Sequence, residues 1–276
     1  MRFSFKSPFF LSEAILYACA LAAGIFIAYV YGLKSPELAL VRPIEFSWGN
    51  AVVFATVFLV FSLVLARYRQ LAGLTFRLVL LLVIFSGAQL FFATFLPSPW
   101  DLFAAVLVIA AYGILRIVAV HNVAILLGIA GVSAILGLSI TPQTAMFVLA
   151  GLSIYDIIAV YRTRHMVRLA EHMISSGAVF GFIIPARMKD FFVQKRHAQP
   201  GEQFMILGSG DVGVPLLLIC STVTVSLSSA FVVAAFSLLG LALTHLLFVN
   251  QTQRRPMAAL PPIATLAILG YLISLI

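Results

Sequence analysis

The chain has 276 residues, of which 63% are hydrophobic and only 9% are charged. Soluble domains carry roughly 25% charged residues, so this composition excludes an ordinary soluble protein and indicates a membrane protein. The formal net charge of +8 would suit a nucleic-acid-binding domain if the charge lined one face of a soluble fold. Here the basic residues lie between apolar segments, which is a pattern of membrane topology, and no nucleic-acid partner is expected.

Nine apolar segments of the chain predict transmembrane helices. Each approaches the roughly 20 residues that cross a bilayer with every backbone group bonded inside the segment. In chain order they are 14–33, 49–66, 78–96, 101–119, 123–140, 143–161, 205–222, 228–249 and 257–276. The predicted fold is therefore an all-α, multi-pass membrane protein whose main surrounding is the lipid bilayer.

Lysine and arginine are distributed very unevenly between the two sides of these spans. With the N-terminus in the cytoplasm, fifteen of the 17 basic residues fall in cytoplasmic segments, and only Lys34 and Arg42 fall outside. Cytoplasmic loops of membrane proteins carry this excess of positive charge. The predicted orientation is therefore N-terminus cytoplasmic and C-terminus outside.

The longest segment between spans, 162–204, is cytoplasmic in this topology. Its first part, RTRHMVRLAEHM, favours a basic helix, and its last part, around Pro200-Gly201, favours a mobile loop. Two apolar runs, 178–184 and 202–207, are candidate strands. An interfacial helix is an equal alternative for the first of them.

Only two of the nine acidic residues, Asp156 and Asp211, lie within apolar spans. An ionisable residue inside a membrane indicates a functional site, and its expected partner is the other one. Asp156 comes six residues before Arg162, and Asp211 comes nine residues after Glu202. At the helical rise these positions are ~9 and ~14 Å below the charged rim, on the same side of the membrane.

Two carboxylates that share one site do not easily both ionise, so one keeps a proton while the other acts as a base. The pair formed by Asp156 and Asp211 could then deprotonate a water and protonate a peptide carbonyl. The alternative hypothesis is that each carboxylate accepts hydrogen bonds from a neighbouring helix and only fixes packing.

Glycine and proline surround the second of these carboxylates. Gly208 and Gly210 precede Asp211, Gly213 follows it, and Pro215 comes four residues later. Glycine permits close approach of the backbone, and proline cannot donate to the carbonyl four residues before it. We expect a loosened helix that exposes backbone to a substrate, although glycine and proline also serve ordinary packing of membrane helices.

Three short motifs carry a resemblance to a known family. The sequences YD at 155–156 and GSGD at 208–211 resemble the YD and GxGD motifs of the presenilin and signal peptide peptidase family of intramembrane aspartyl proteases. The sequence AALP at 258–261 resembles the family's third motif, PAL, with Ala258 where that motif has its first proline. The resemblance covers the whole chain in its number of spans, motif order and large loop.

The resemblance implies a presenilin-like bundle of nine transmembrane helices and an aspartic endopeptidase that cuts within transmembrane segments. It implies that Asp156 and Asp211 are the catalytic pair, working with water and with neither cofactor nor metal. The residues that it places at the substrate cleft come from the three motifs: Tyr155, Gly208, Ser209, Gly210, Ala259, Leu260 and Pro261.

On this interpretation the chain has three parts. Residues 1–161 form a six-helix part with the YD motif, 162–204 form a partly mobile cytoplasmic loop, and 205–276 form a three-helix part with the other two motifs. The expected partner is the transmembrane helix of a substrate membrane protein. Because the compact chain resembles archaeal family members, obligate accessory subunits are not expected, and a homo-oligomer stays open.

A second class of function fits the same carboxylates. A proton- or cation-coupled transporter, or a channel, also uses membrane carboxylates and broken helices. A simple proton relay needs neither the glycines beside Asp211 nor the third motif, so the sequence favours the protease.

Overall fold

A computed structural model describes residues 9–34, 69–162, 179–198, 201, 203–251 and 257–276. That part of the chain contains eight α-helices and one pair of strands. In chain order they are α1 (Phe10–Lys34), α2 (Arg69–Phe92), α3 (Trp100–Leu115), α4 (Val118–Leu138), α5 (Pro142–Ile157), β1 (Gly181–Pro185), β2 (Phe204–Gly208), α6 (Ser209–Val223), α7 (Leu227–Val249) and α8 (Leu260–Ile273).

Five helical segments in the described part are long and apolar enough to cross a membrane, rather than the nine expected over the whole chain. They are Phe10–Leu33, Gly73–Phe92, Val118–Leu138, Pro142–Arg162 and Leu227–Val249. Helices α3, α6 and α8 are apolar but shorter, with 16, 15 and 14 residues. The span expected at 49–66 and the basic helix expected after 162 lie outside the described residues.

One predicted span begins in the wrong place. Hydropathy assigned 205–222 to a helix, but 205–208 belong to strand β2, and the helix starts at Ser209. Hydropathy reports only that these residues are apolar, whereas their backbone pairs with the neighbouring strand β1.

The strands form a small antiparallel sheet in which Ile183 pairs with Ile206. Both strands predicted in the loop are therefore confirmed, and the interfacial helix is wrong for the described residues 181–185. All five residues of β1 are buried. A Cβ at Gly181 would clash with the carbonyl oxygen of Leu207, so the strands need glycine at this point to approach.

The outer edge of β1 is hydrogen-bonded to the start of α4. The amide of Asn122 donates to the carbonyl of Ile183 over 2.7 Å and accepts from its N–H over 2.8 Å. Nε2 of His121 lies 2.9 Å from the carbonyl oxygen of Gly181 and donates to it. These bonds satisfy strand groups that water does not reach, and they fix the sheet to the helical bundle.

Glycines allow the closest contacts between helices. A Cβ at Gly87 of α2 would clash with the carbonyl oxygen of Leu127 in α4. A Cβ at Gly240 of α7 would lie 2.6 Å from the Cα atom of Ile263 in α8. Small residues let membrane helices pack backbone against backbone, and here they hold α8 against α7.

The connection between the strands is attached to the junction of α3 and α4. It contains a short 3-10 helix, Met188–Phe192, and the backbone N–H of Lys195 donates to the carbonyl of Arg116 over 2.7 Å. The ammonium of Lys195 donates to the hydroxyl of Tyr112 over 2.9 Å. Burial, together with the charges of Arg77 and Arg116, lowers the pKa of Lys195 to about 8.

Candidate active site

Asp156 lies at the last turn of α5, next to a change in the helix itself. The α-helix ends at Ile157 and continues as one π-helical turn, Ile158–Arg162. The Asp156 side chain is buried and accepts a hydrogen bond from the backbone N–H of Leu260 at the start of α8. Its Oδ2 atom is buried and has no hydrogen-bond partner among the described residues.

Asp211 lies in the first turn of α6, where the first glycine of its motif has a structural role. Gly208 is the N-cap of the helix, and its backbone N–H donates to the Asp211 carboxylate. This reach from the third helical residue back to the cap is one half of a capping box. A Cβ at Gly208 would lie 3.0 Å from Oδ2 of Asp211, so glycine leaves room for the carboxylate.

The structure brings the two carboxylates together. Helix α5 packs against α6, and the charges of Asp156 and Asp211 lie close enough to interact. Each carboxylate is held by one backbone N–H, that of Leu260 or that of Gly208. The resulting pair is anchored by backbone N–H groups at the end of β2 and at the start of α8.

The third motif acts through its backbone. Ala259 is the N-cap of α8, and Pro261 lies in the first turn, where proline is tolerated because its nitrogen needs no partner. The hydroxyl of Thr244 in α7 donates to the carbonyl of Gly240 over 2.9 Å and lies 3.3 Å from the carbonyl oxygen of Ala259. Thr244 thus helps to hold the turn that presents the Leu260 N–H to Asp156.

The other residues expected at the cleft occupy different places. Tyr155 is 44% exposed, whereas Asp156 beside it is 9% exposed, so the two side chains point apart. The backbone N–H of Ser209 donates to the carbonyl of Phe180 over 3.1 Å and extends the ladder of the sheet. Gly210 is exposed, and its Cβ position is open, with no atom of another part of the described chain within 4 Å.

Comparison with known proteins gives a family and a fold. The family described as "Signal-peptide peptidase, presenilin aspartyl protease" matches residues 4–276. The chain belongs to this family. No curated protein sequence matches it significantly.

Two solved structures are similar to this family member over almost its whole length. Both are described as a presenilin family intramembrane aspartate protease, in a C222 and a P2 crystal form. Each has 25% sequence identity; the TM-score is 0.61 with 95% of both chains covered for the first, and 0.65 with 96% of both chains covered for the second. The fold is therefore presenilin-like.

The protein is an integral, multi-pass membrane protein and an intramembrane aspartic protease, as its family is. The comparisons give no support to a transporter. The resemblance carried by the three motifs is confirmed at the level of family, fold and enzyme class.

The fold places two further polar residues, an acid and a histidine, near this site, and the sequence did not indicate them. Glu13 directly precedes the first apolar segment, and His245 lies within the eighth. In the structure both are buried and hydrogen-bonded to each other. The only signal in the sequence was the histidine inside an apolar span.

Proposed function

We propose that Asp156 and Asp211 are the catalytic pair of this protease and that its substrate is the transmembrane helix of another membrane protein. The observation that carries the proposal is the meeting of two membrane carboxylates from α5 and α6, each held by one backbone N–H. This is the arrangement in which one group keeps a proton and the other is a base.

The pair supports peptide hydrolysis in two steps. In the first, the ionised carboxylate takes a proton from a water molecule, whose oxygen forms a bond to the peptide carbonyl carbon, while the protonated partner gives its proton to the carbonyl oxygen. In the second, the carboxyl that took the proton from water gives it to the peptide nitrogen, the other carboxylate takes a proton from a hydroxyl of the tetrahedral intermediate, and the C–N bond breaks. The products are a carboxylic acid and an amine, and the pair again shares one proton.

The free edge of β2 supports a way to hold an unwound substrate. Bonds from Ser209 to Phe180 and from Ala186 to Gln203 set the alternation of the ladder. In that alternation the N–H and C=O of Ile206 face away from β1, and no described residue bonds them. We infer that an extended substrate segment pairs there, in the mode by which peptides add a strand to a sheet. The strand leads directly into Gly208 and the site.

The topology that we propose keeps nine spans, with the N-terminus in the cytoplasm and the C-terminus outside. Helices α6 and α8 have 15 and 14 residues. At the helical rise they are ~22 Å long, less than the ~30 Å of a bilayer core. Non-helical backbone is tolerated at membrane depth where it lines a cavity, so β2 and the turn before α8 would complete these spans.

The three-part division at 1–161, 162–204 and 205–276 follows from this topology. The third part supplies the backbone groups that hold both carboxylates, and the first supplies Asp156. Because both anchors come from within one chain, we propose activity without accessory subunits, whether the protein is a monomer or a homo-oligomer.

A cleavage assay with purified components tests the proposed function. The protein in detergent is mixed with single-span model substrates, and the products are identified by mass spectrometry. We expect cuts within the span that a hydroxyl-bearing inhibitor of aspartic proteases abolishes. Folded protein that cuts none of several substrates would contradict the proposal, and proton flux into liposomes would then be measured as a test of transport.

Substitution of Gly210 tests the open Cβ position next to Asp211 in the sequence. Gly210→Leu is expected to lower kcat/KM by about 10²-fold, because the new side chain occupies the space where the substrate must be aligned. The melting temperature is expected to stay unchanged, since no atom lies within 4 Å of the Cβ position.

The matched control for this prediction is Gly32→Leu in α1, whose Cβ position is equally open. That variant is expected to keep full activity. A parallel loss of activity and melting temperature in Gly210→Leu would instead assign this glycine to helix packing.

A further inference from the structure

A buried acid–histidine pair joins α1 to α7. The carboxylate of Glu13 is hydrogen-bonded to Nδ1 of His245, and the two residues are only 3% and 2% exposed. Phe10 packs against the imidazole ring, with the two ring centroids 5.0 Å apart. Burying a carboxylate in a membrane protein is costly even when it is paired, and packing alone would be served by apolar residues. Packing of α1 against α7 therefore does not by itself account for the pair.

The pair lies beside the catalytic carboxylates. The charge of Glu13 is close enough to that of Asp211 to interact with it. Tyr17, one turn further along the same face of α1, also lies within range of Asp211, and its hydroxyl is 2.6 Å from that of Ser237 in α7. Helix α1 thus presents one acidic and one neutral polar group to the same carboxylate.

The groups that face Asp211 from the surrounding elements are few. Helix α5 presents Asp156, and α1 presents Glu13 and Tyr17. The histidine of α4, His121, is bonded to a carbonyl of β1, and that of α7, His245, is bonded to Glu13. The strands β1 and β2 carry no ionisable side chain, and α8 carries only the phenol of Tyr271. Among the described residues, Glu13 is therefore the negative charge that acts on Asp211 in addition to Asp156.

The turn of α7 that carries His245 also contacts the backbone segment that supports Asp156. Thr244, next to His245 in sequence, lies against the carbonyl of Ala259, and the following N–H, that of Leu260, donates to Asp156. His245, which holds Glu13, therefore lies in the same turn of α7 as Thr244. Thr244 in turn contacts the backbone segment that donates to Asp156. A displacement of this turn would act on both carboxylates.

We propose that Glu13 and His245 form a positioning pair for the proteolytic reaction, which holds a third carboxylate beside Asp211 and sets the pH range over which the catalytic pair shares one proton. This inference rests on the proposed function of Asp156 and Asp211. The hydrogen bond to His245 fixes the position of the Glu13 carboxylate on the side of α1 that packs against α6.

The test removes the charge and retains the hydrogen bond. Glu13→Gln and the double variant Glu13→Gln/His245→Gln replace the pair by neutral groups that can still bond to each other. The matched control is Tyr17→Phe, which removes the neighbouring hydrogen bond between α1 and α7 and changes no charge.

Two measurements are made on each variant. Infrared difference spectroscopy follows the carbonyl band of the protonated carboxyl of the catalytic pair as a function of pH, with Asp211→Asn to assign the band. The pH profile of substrate cleavage is measured in parallel. The infrared titration needs no substrate, so it decides the coupling even if the wild-type protein cleaves nothing, in which case only the proposed function fails.

We expect both Glu13 variants to lose the shared proton at a pH about one unit lower than the wild type, because removal of a nearby negative charge makes the proton less favourable. The upper limb of the cleavage profile is expected to move with it. Tyr17→Phe is expected to keep the wild-type profile. Coincident titrations of folded Glu13 variants and wild type, an equal shift in Tyr17→Phe, or failure of both Glu13 variants to fold would each overturn the proposal.

Discussion

Replacement of Asp156 or Asp211 by asparagine is expected to lower the rate of intramembrane cleavage by about 10³-fold or more, because each variant removes one member of the acid–base pair. Asparagine has nearly the same shape as aspartate and still accepts a hydrogen bond from Leu260 or Gly208. The fold is therefore expected to survive. Initial rates are measured by quantitative mass spectrometry of the products, on protein whose folded state is checked by thermal unfolding.

Asp101→Asn is the control for this pair of variants. Asp101 lies in the first turn of α3, is 5% exposed and has one oxygen without a hydrogen-bond partner among the described residues. The chemical change and the burial match those at the site, so the general cost of removing a buried charge is measured directly. We expect Asp101→Asn to keep its activity. Full activity in either Asp156→Asn or Asp211→Asn would refute the catalytic pair.

Removal of the Asn122 side chain is expected to have the largest effect on stability. Asn122→Ala leaves the N–H and the C=O of Ile183 without partners, and an unsatisfied buried group costs about 1–3 kcal/mol. The free energy of unfolding is therefore expected to fall by about 2–5 kcal/mol. Cleavage is expected to fall as well, because β1 positions β2, and β2 ends at the cap that holds Asp211.

Thermal unfolding in detergent and hydrogen exchange of the Gly181–Pro185 segment check this prediction. Asn250→Ala is the matched control, since the Asn250 amide donates to the carbonyl of Leu246 within its own helix, over 2.8 Å. It is expected to change stability and exchange little. Undiminished protection of the Ile183 N–H in Asn122→Ala would show that the strand is held by packing rather than by the amide.

The two carboxylates proposed as the catalytic pair attract attention in the sequence because acids are so rare in it. An ionisable residue within an apolar span indicates a functional site, so the positions of Asp156 and Asp211 single them out among the nine acids. Their similar depth followed from the helical rise and the charged rim. The structure adds what composition cannot supply, namely that backbone N–H groups from Gly208 and Leu260 orient them.

Glu13 could not be found in the same way. It lies at the end of an apolar segment, where acids are common and usually face solvent, and its partner His245 is 232 positions away in the sequence. Only the packing of α1 against α7 and α6 brings it to Asp211. A pattern read along one helix carries no information on which distant helix will cover it.

Hydropathy failed at 205–208 for a related reason. A short apolar run can be a strand or the end of a helix, and its length does not decide between them. Here pairing with β1 makes the run a strand, and the position of β1 depends on two side chains of α4, His121 and Asn122. Short elements at such sites are fixed by tertiary partners rather than by their own composition.

The bond from the Leu260 N–H to Asp156 also bears on how the protein is made. A growing chain emerges from the ribosome in sequence order, so α5 enters the membrane long before α8 exists. Until α8 packs against α5, the carboxylate of Asp156 lacks its backbone anchor. The nascent chain therefore passes the translocation machinery before the proposed active centre is complete.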